Sequence, residues 1–252
     1  MNTTRGTSRI RVGICSWADP ALIESAVFYP RKSMSAEARL RYYASVFDTV
    51  EVNNTFYRLP EISTFAAWRD RTDARFLFAI KASRYLTHRK RLKEPADSLK
   101  IFWERARALQ EKLGPVLYQL PTGWSRNDER FYPFLDALPK DAPQTVEFRD
   151  PSWYSDEIYH ALESKGISMC LHDMPGSAPP RRLIGPFVYV RFHGADARYQ
   201  GGYSDPALLD WAQWLAQQAR SGKNVYVYFN NDMGGHAPRD AARLRGYLLD
   251  QT

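Results

Sequence analysis

The chain has 252 residues, 44% hydrophobic and 25% charged, the make-up of a globular protein with a substantial core, which excludes a low-complexity or disordered chain. A formal net charge of +7 and a pI near 9.4 favour anionic ligands, without choosing between nucleic acid and phosphorylated or carboxylated small molecules. Only Cys15 and Cys170 occur, both inside apolar runs, and no stretch suits a secretory signal or a bilayer span, so a cytoplasmic protein with neither a disulfide framework nor a membrane partner is expected.

In chain order, a flexible N-terminal segment (1–9) is expected to precede one domain spanning 10–252. Residues 11–15 read as a buried first strand, followed by a long loop holding Trp17, Asp19, Phe28, Tyr29 and Pro30. Ser35 is a plausible N-cap for a helix whose apolar stripe is Leu40, Tyr43, Ala44 and Phe47. Residues 50–60, Val-Glu-Val-Asn-Asn-Thr-Phe-Tyr-Arg-Leu-Pro, begin as a second strand that puts Glu51 and Asn53 on one face, Val50 and Val52 on the other; Pro60 ends the ladder. Ser63 starts a short helix through Phe65 and Trp68, and 76–81 is strand three.

A basic loop follows, with Arg84, His88, Arg89, Lys90, Arg91 and Lys93 around Tyr85 and Leu86. The next helix carries Leu99, Phe102, Ala106, Leu109 and Leu113 and stops at Gly114. Strand four is 116–120, a helix spans 128–138, and strand five is 145–149. Ser155 caps a helix ending at Gly166, before strand six at 167–173. Residues 174–186 contain four prolines and no helical pattern, so they read as a loop or lid. Strand seven is 187–193, a helix begins near Asp205-Pro206, strand eight is 225–229, and a last helix starts near Pro238.

Eight strands separated by helices predict an α/β fold, a single (β/α)8 TIM-type barrel lacking a helix between strands six and seven. An open doubly wound sheet is the rival, but it calls for a glycine fingerprint after strand one, where Ser16-Trp17-Ala18-Asp19-Pro20 stands instead.

Barrel enzymes keep their chemistry at the C-terminal ends of the strands. Those positions here are Glu51, Asn53, Lys81, Gln119, Glu147, Arg149, His172, Asp173, Arg191, His193, Tyr228 and Asn230. Where two fall on one strand at i, i+2 they share a face, and inward is the side left for polar groups. Such groups must pair with one another or with a ligand, since unpartnered burial costs several kcal/mol (~2–7) each. One reading is therefore a self-satisfied network of Glu51 and Glu147 with Lys81, Arg149 and Arg191. The other is a ligand site, in which Glu51, Glu147, His172 and His193 handle protons while Asn53, Tyr57, Lys81, His88, Gln119, Arg149, Arg191, Tyr228 and Asn230 bind an anionic molecule. Gly201, Gly202, Gly234 and Gly235 could offer backbone N–H groups to a phosphate, or simply permit turns. No cofactor is expected. A divalent metal on His172, Asp173, His193 and Glu147 is opposed by the nearby cations. The basic loop 84–93, with Trp17, Tyr57, Trp124, Trp153 and Tyr199, forms an alternative nucleic-acid track.

Taken together, Gly13-Ile-Cys-Ser-Trp17, Phe28-Tyr-Pro30, the 50–60 stretch, Lys81 with Thr87-His88, Val116-Leu-Tyr-Gln-Leu-Pro121, Val146-Glu-Phe-Arg149 with Ser152-Trp153, Val190-Arg-Phe-His-Gly194 and Tyr228-Phe-Asn-Asn231 resemble the YecE-like family, domain of unknown function seventy-two. The resemblance runs from about residue 10 to residue 248 and implies a TIM barrel but no activity, because the family has no settled function. Its recurrent motifs match Glu51, Asn53, Tyr57, Lys81, His88, Gln119, Glu147, Arg149, Arg191, His193 and Asn230, with Asp150 a departure where a neutral polar residue is expected. Three functional expectations follow: a hydrolase, lyase or isomerase acting on an anionic small molecule, a nucleic-acid binder or repair-type nuclease, and a non-catalytic metabolite sensor.

Overall fold

The computed structural model describes residues 9–251, so the expected flexible segment 1–9 lies outside the described residues except for Arg9. Eight strands are present: β1 (Ile10–Ile14), β2 (Thr49–Val52), β3 (Leu77–Lys81), β4 (Leu113–Gln119), β5 (Gln144–Glu147), β6 (Ser168–Asp173), β7 (Val188–Phe192) and β8 (Val225–Phe229). All neighbouring pairs are parallel, in the order β1-β8-β7-β6-β5-β4-β3-β2. The helices are α1 (Pro20–Glu24), α2 (Ala36–Val46), α3 (Asn54–Tyr57), α4 (Ile62–Asp70), α5 (Ala96–Ala106), α6 (Asp128–Ala137), α7 (Asp156–Ser164), α8 (Asp205–Arg220) and α9 (His236–Leu249). The predicted TIM-type barrel is thus the fold, and no helix intervenes between β6 and β7.

The period-two alternation of the strands sorts their side chains into two cores. Inside the barrel lie Cys15, Ala79, Leu117, Cys170, Phe187, Tyr189, Tyr226 and Tyr228. Strand residues of the opposite parity, among them Val50, Val52, Phe78, Ile80, Val190 and Phe192, face outward into a larger core with Tyr43, Phe47, Trp68, Phe102, Phe134 and Leu215 of the helices. Several helix starts are fixed by caps: Asp19, Ser35, Asn127, Ser155 and Ser204 each accept a first-turn backbone N–H.

Between β1 and β2, among the described residues, the backbone ladder is missing, and side chains close the seam. The Tyr43 hydroxyl accepts the Ile14 N–H at 3.0 Å and donates to the Thr49 carbonyl at 2.8 Å. Gly13 allows this approach, since a Cβ there would lie 2.3 Å from the Thr49 oxygen. Nearer the strand starts, Arg11 Nη1 donates to the Asp48 and Arg75 carbonyls and to Asp48 Oδ2, each at 2.9 Å.

Three local expectations are corrected. Gly114 lies within β4 rather than ending a helix: α5 stops at Ala106, a 3-10 stretch follows through Lys112, and Gly114 lets the Leu77 side chain lie against the backbone. The cap of α4 is Glu61, not Ser63. The basic segment is not a plain loop, because Tyr85–Arg89 form a π-helical turn, and Arg91, Leu92 and Glu94 after it hold positive φ of 45°, 61° and 44°. No helix among the described residues is long and apolar enough to cross a membrane.

Candidate functional site

At the C-terminal end of the barrel, charge is concentrated around Arg191, an inward residue of β7 that is 1% exposed. Its Nη2 and Nε donate to Glu51 Oε1 at 2.9 and 3.2 Å, and its Nη1 donates to Glu147 Oε2 at 2.7 Å. Both carboxylates are fully buried. Tyr189, two residues before Arg191 on the same face, donates to Glu51 Oε2 at 2.7 Å, and the Cys15 thiol donates to Oε1 at 3.1 Å. Arg149 pairs with the other Glu147 oxygen. Burial pushes the Glu147 carboxyl up, but Arg149 and Arg191 outweigh it and hold the group well below the usual carboxylate range. Glu51 and Glu147, expected as an acid–base pair, pair with two arginines and are sealed from solvent.

His193 is equally enclosed. Its Nε2 meets Arg149 Nη2 at 2.8 Å and Arg191 Nη1 at 3.5 Å, and the Asn230 amide lies 3.2 Å from Nδ1. Two guanidinium donors require Nε2 to accept, which keeps the ring neutral. Burial first, then Arg191 and Arg149, hold its pKa well below the ordinary histidine value. His172, also buried, bonds Ser177 Oγ through Nε2 at 3.0 Å, and burial pushes it down to about 4. Segment 174–186 therefore folds back over β5 and β6: Met174 Sδ lies 3.2 Å from Arg149 Nη1, and Met174 bridges to Ser177. Gln119 is buried, its amide donating to the Leu120 carbonyl at 3.3 Å. Tyr228, expected to touch a ligand, lies fully buried in the barrel interior, 2.7 Å from the Thr49 hydroxyl.

The open half of the mouth is the arc of β8, β1, β2 and β3. A pocket of about 360 Å³ there is lined by Ser16, Asn53, Tyr57, Lys81, Asn230 and Asp232 among others. Lys81, at the end of β3, is 8% exposed; its ammonium sits 4.3 Å from the centre of the Phe56 ring and, among the described residues, has no ion pair or hydrogen bond. Burial first, then Arg191, push its pKa from 10.5 down to about 7. His88 lies behind it, edge-on to Phe56 with ring centres 4.9 Å apart and Nδ1 2.9 Å from the Thr87 hydroxyl. Burial followed by Lys81 lowers His88 to about 4. Asp232 is 5% exposed with its Oδ1 unpartnered, and burial, then Asp19, raise its pKa well above the usual carboxylate range.

The buried cluster holds three cations, Lys81, Arg149 and Arg191, against the carboxylates Glu51 and Glu147, so one positive charge is left over while Asp232 stays protonated. An anion entering the pocket would balance it. Loss of the Lys81 proton balances it otherwise.

Other sequence expectations divide. Trp17, Trp124 and Trp153 are buried core residues, which leaves only Tyr57 and Tyr199 of the proposed stacking track at the surface. Gly201 and Gly235 serve close packing: a Cβ would meet Asp196 at 2.3 Å and Ser25 at 2.9 Å respectively, and the Gly235 N–H is taken by the Asp232 carbonyl. Asp150 caps the 3-10 turn Pro151–Trp153, its Oδ1 accepting the Ser152 N–H at 3.0 Å. Among the described residues, no three His, Cys, Asp or Glu side chains are grouped to hold a metal ion, and Asp173 accepts from Trp211 Nε1 at 3.1 Å. Sequence reasoning missed Tyr189, Asp232 and Cys15. Parity with Arg191 and Asn230 points to the first two, whereas Cys15, inside an apolar run, carries no such signal.

Residues 11–252 match the family profile described as Protein of unknown function DUF72. The chain belongs to this family. The UPF0759 protein YunF of Bacillus subtilis (strain 168) is 28% identical over 268 positions, covering 93% of each chain. A DUF72 family protein of Thermotoga maritima MSB8 superposes with a TM-score of 0.83 at 27% identity, over 95% of this chain and 99% of that one. One from Enterococcus faecalis V583 gives 0.80 at 22% identity over 96% of each, which speaks to the fold alone. The motifs read from the sequence thus identified the DUF72 family, and the family description carries no activity.

Proposed function

We propose that this DUF72 protein is an enzyme that binds a small anionic molecule in the pocket between β8 and β3 and moves protons on it with Lys81. One observation carries the reading: a lysine at the C-terminal end of a barrel strand, nearly buried, facing a pocket and, among the described residues, in no ion pair. A structural lysine would be paired or would extend its ammonium to water. Holding it unpaired beside Arg191 costs folding free energy, the mark of a site whose partner arrives from outside. With a pKa of about 7, Lys81 exchanges its proton near neutrality and serves as base or acid, while Glu51 and Glu147 hold Arg191 and Arg149 in place beside it. The pocket volume of about 360 Å³ suits a metabolite-sized ligand rather than a polymer segment.

Titration calorimetry with a panel of small carboxylates and phosphates, including lactate, pyruvate and inorganic phosphate, tests the reading. The expected result is binding that weakens roughly tenfold or more in Lys81→Met and largely survives in Lys81→Arg. No binding across the panel, or equal binding by the methionine variant, rejects it.

A further inference from the structure

We infer that Lys81 is a covalent site, its amine condensing with the carbonyl group of an anionic aldehyde, ketone or 2-oxo acid to form an imine. The inference rests on the anion-binding reading above and deepens it by naming the substrate class.

The geometry has three parts. First, among the described residues Lys81 Nζ has no hydrogen-bond acceptor and lies 4.3 Å from the centre of the Phe56 ring, which leaves the nitrogen lone pair unblocked by hydrogen bonding once the proton is lost. Second, the same pocket carries Asp232, whose buried Oδ1 has no partner and whose carboxyl is surrounded by conditions that favour its neutral form. Third, Ser16, Asn53 and Asn230 line the pocket with uncharged groups able to bond a carbonyl oxygen or its neighbours, and the Asn53 Oδ1 is itself buried without a partner. An amine, a protonated acid and neutral hydrogen-bonding groups facing one small cavity are the parts that imine formation needs. A purely electrostatic anion site would need none of the acid, and Asp232 would weaken it.

The step balances without an oxidant or reductant. The neutral Lys81 amine attacks the carbonyl carbon; a C–N bond forms and the C=O π pair moves to oxygen, which takes a proton from Asp232. The nitrogen returns one proton to Asp232, leaving a neutral carbinolamine. Asp232 then protonates the hydroxyl, the C–O bond breaks, water leaves, and the nitrogen lone pair closes C=N. The products are a protonated imine, an Asp232 carboxylate and one water. The imine cation stands where the surplus positive charge already stood, and the Asp232 carboxylate in the same pocket offsets it.

The test is reductive trapping. Wild type, Lys81→Arg and Asp232→Asn are each incubated with pyruvate or dihydroxyacetone phosphate and sodium cyanoborohydride, and peptides are mapped by mass spectrometry. A reduced adduct on Lys81 of the wild type is expected, forming faster as pH rises through about 7 and not only near the ordinary lysine value of 10.5. Lys81→Arg should lose the adduct while retaining binding of lactate and phosphate. Asp232→Asn should slow trapping without abolishing that binding. If the anions bind but no carbonyl probe labels Lys81, the imine is overturned and the anion site stands. If neither binding nor labelling occurs, both fail. Labelling confined to exposed lysines also overturns the inference.

Discussion

Arg191 donates to Glu51 from both Nη2 and Nε, at 2.9 and 3.2 Å, across the inside of the barrel from β7 to β2, with neither side chain more than 1% exposed. The two residues lie 140 positions apart in the chain. With Glu147 on the other edge of the guanidinium they tie three strands of the sheet together and set the field that the pocket feels.

Arg191→Met should destabilise the fold by ~3–5 kcal/mol, because it abandons two buried carboxylates at once. Arg191→Lys should recover little of this, since one ammonium cannot reproduce the three guanidinium contacts. Thermal melts of both variants against wild type measure the loss. A melting temperature unchanged in Arg191→Met would show that the charges are not coupled as described.

Lys81→Met is expected to stabilise the protein at pH 7, although it removes the proposed reactive group. The sign follows from linkage: folding lowers this amine from 10.5 to about 7, so the unfolded chain holds the extra proton between those values. Stability attributable to Lys81 is greatest above pH 10.5, falls as pH drops toward 7, and stays at its low value below. The methionine variant should therefore gain on the order of a few kcal/mol near neutrality and lose its advantage toward pH 10.5. Denaturant titrations of both proteins at several pH values check this; a destabilised variant at pH 7 would contradict it.

His172 adds a dependence on the acid side. Folding lowers its pKa from 6.5 to about 4, so its contribution is complete above pH 6.5 and is lost as pH falls toward 4. His172→Gln should flatten that part of the stability profile. The same denaturant titrations between pH 4 and 7 provide the measurement.

Tyr43→Phe should cost about 2–4 kcal/mol, because the hydroxyl is the link between the Ile14 N–H and the Thr49 carbonyl where the β1–β2 ladder is missing. Amide hydrogen exchange at Ile14 should accelerate more than at residues of the paired strands β6 and β7. Unchanged exchange at Ile14 would mean that the seam is held by other contacts.

The exposed basic residues Arg84, Arg89, Arg91 and Lys93 should bind single-stranded nucleic acid only weakly and through charge, since three of the five aromatics read as a stacking track are in the core. Affinity for an oligonucleotide should fall steeply with salt and disappear in Arg84→Ala/Arg89→Ala/Arg91→Ala. Binding that resists salt would restore the nucleic-acid reading and count against a small-molecule pocket.

The strand pattern alone was enough for the barrel: eight apolar runs with alternating parity, separated by amphipathic helices and broken by a proline-rich gap between the sixth and seventh, specify which faces are buried before any contact is known. The same parity put Glu51, Glu147, Arg149, Arg191 and Lys81 on the inward side. It could not say how they pair, because pairing across a barrel depends on strand stagger and on side-chain depth, which relate residues more than a hundred positions apart. Only the tertiary structure seated Arg191 between the two glutamates, buried Tyr228 and the tryptophans in the core, and brought Lys81 and the unpartnered Oδ1 of Asp232 to one pocket. Local sequence governs the direction in which a side chain leaves the backbone; the closed sheet governs what it meets, and there, among the described residues, it left Lys81 without an ion pair.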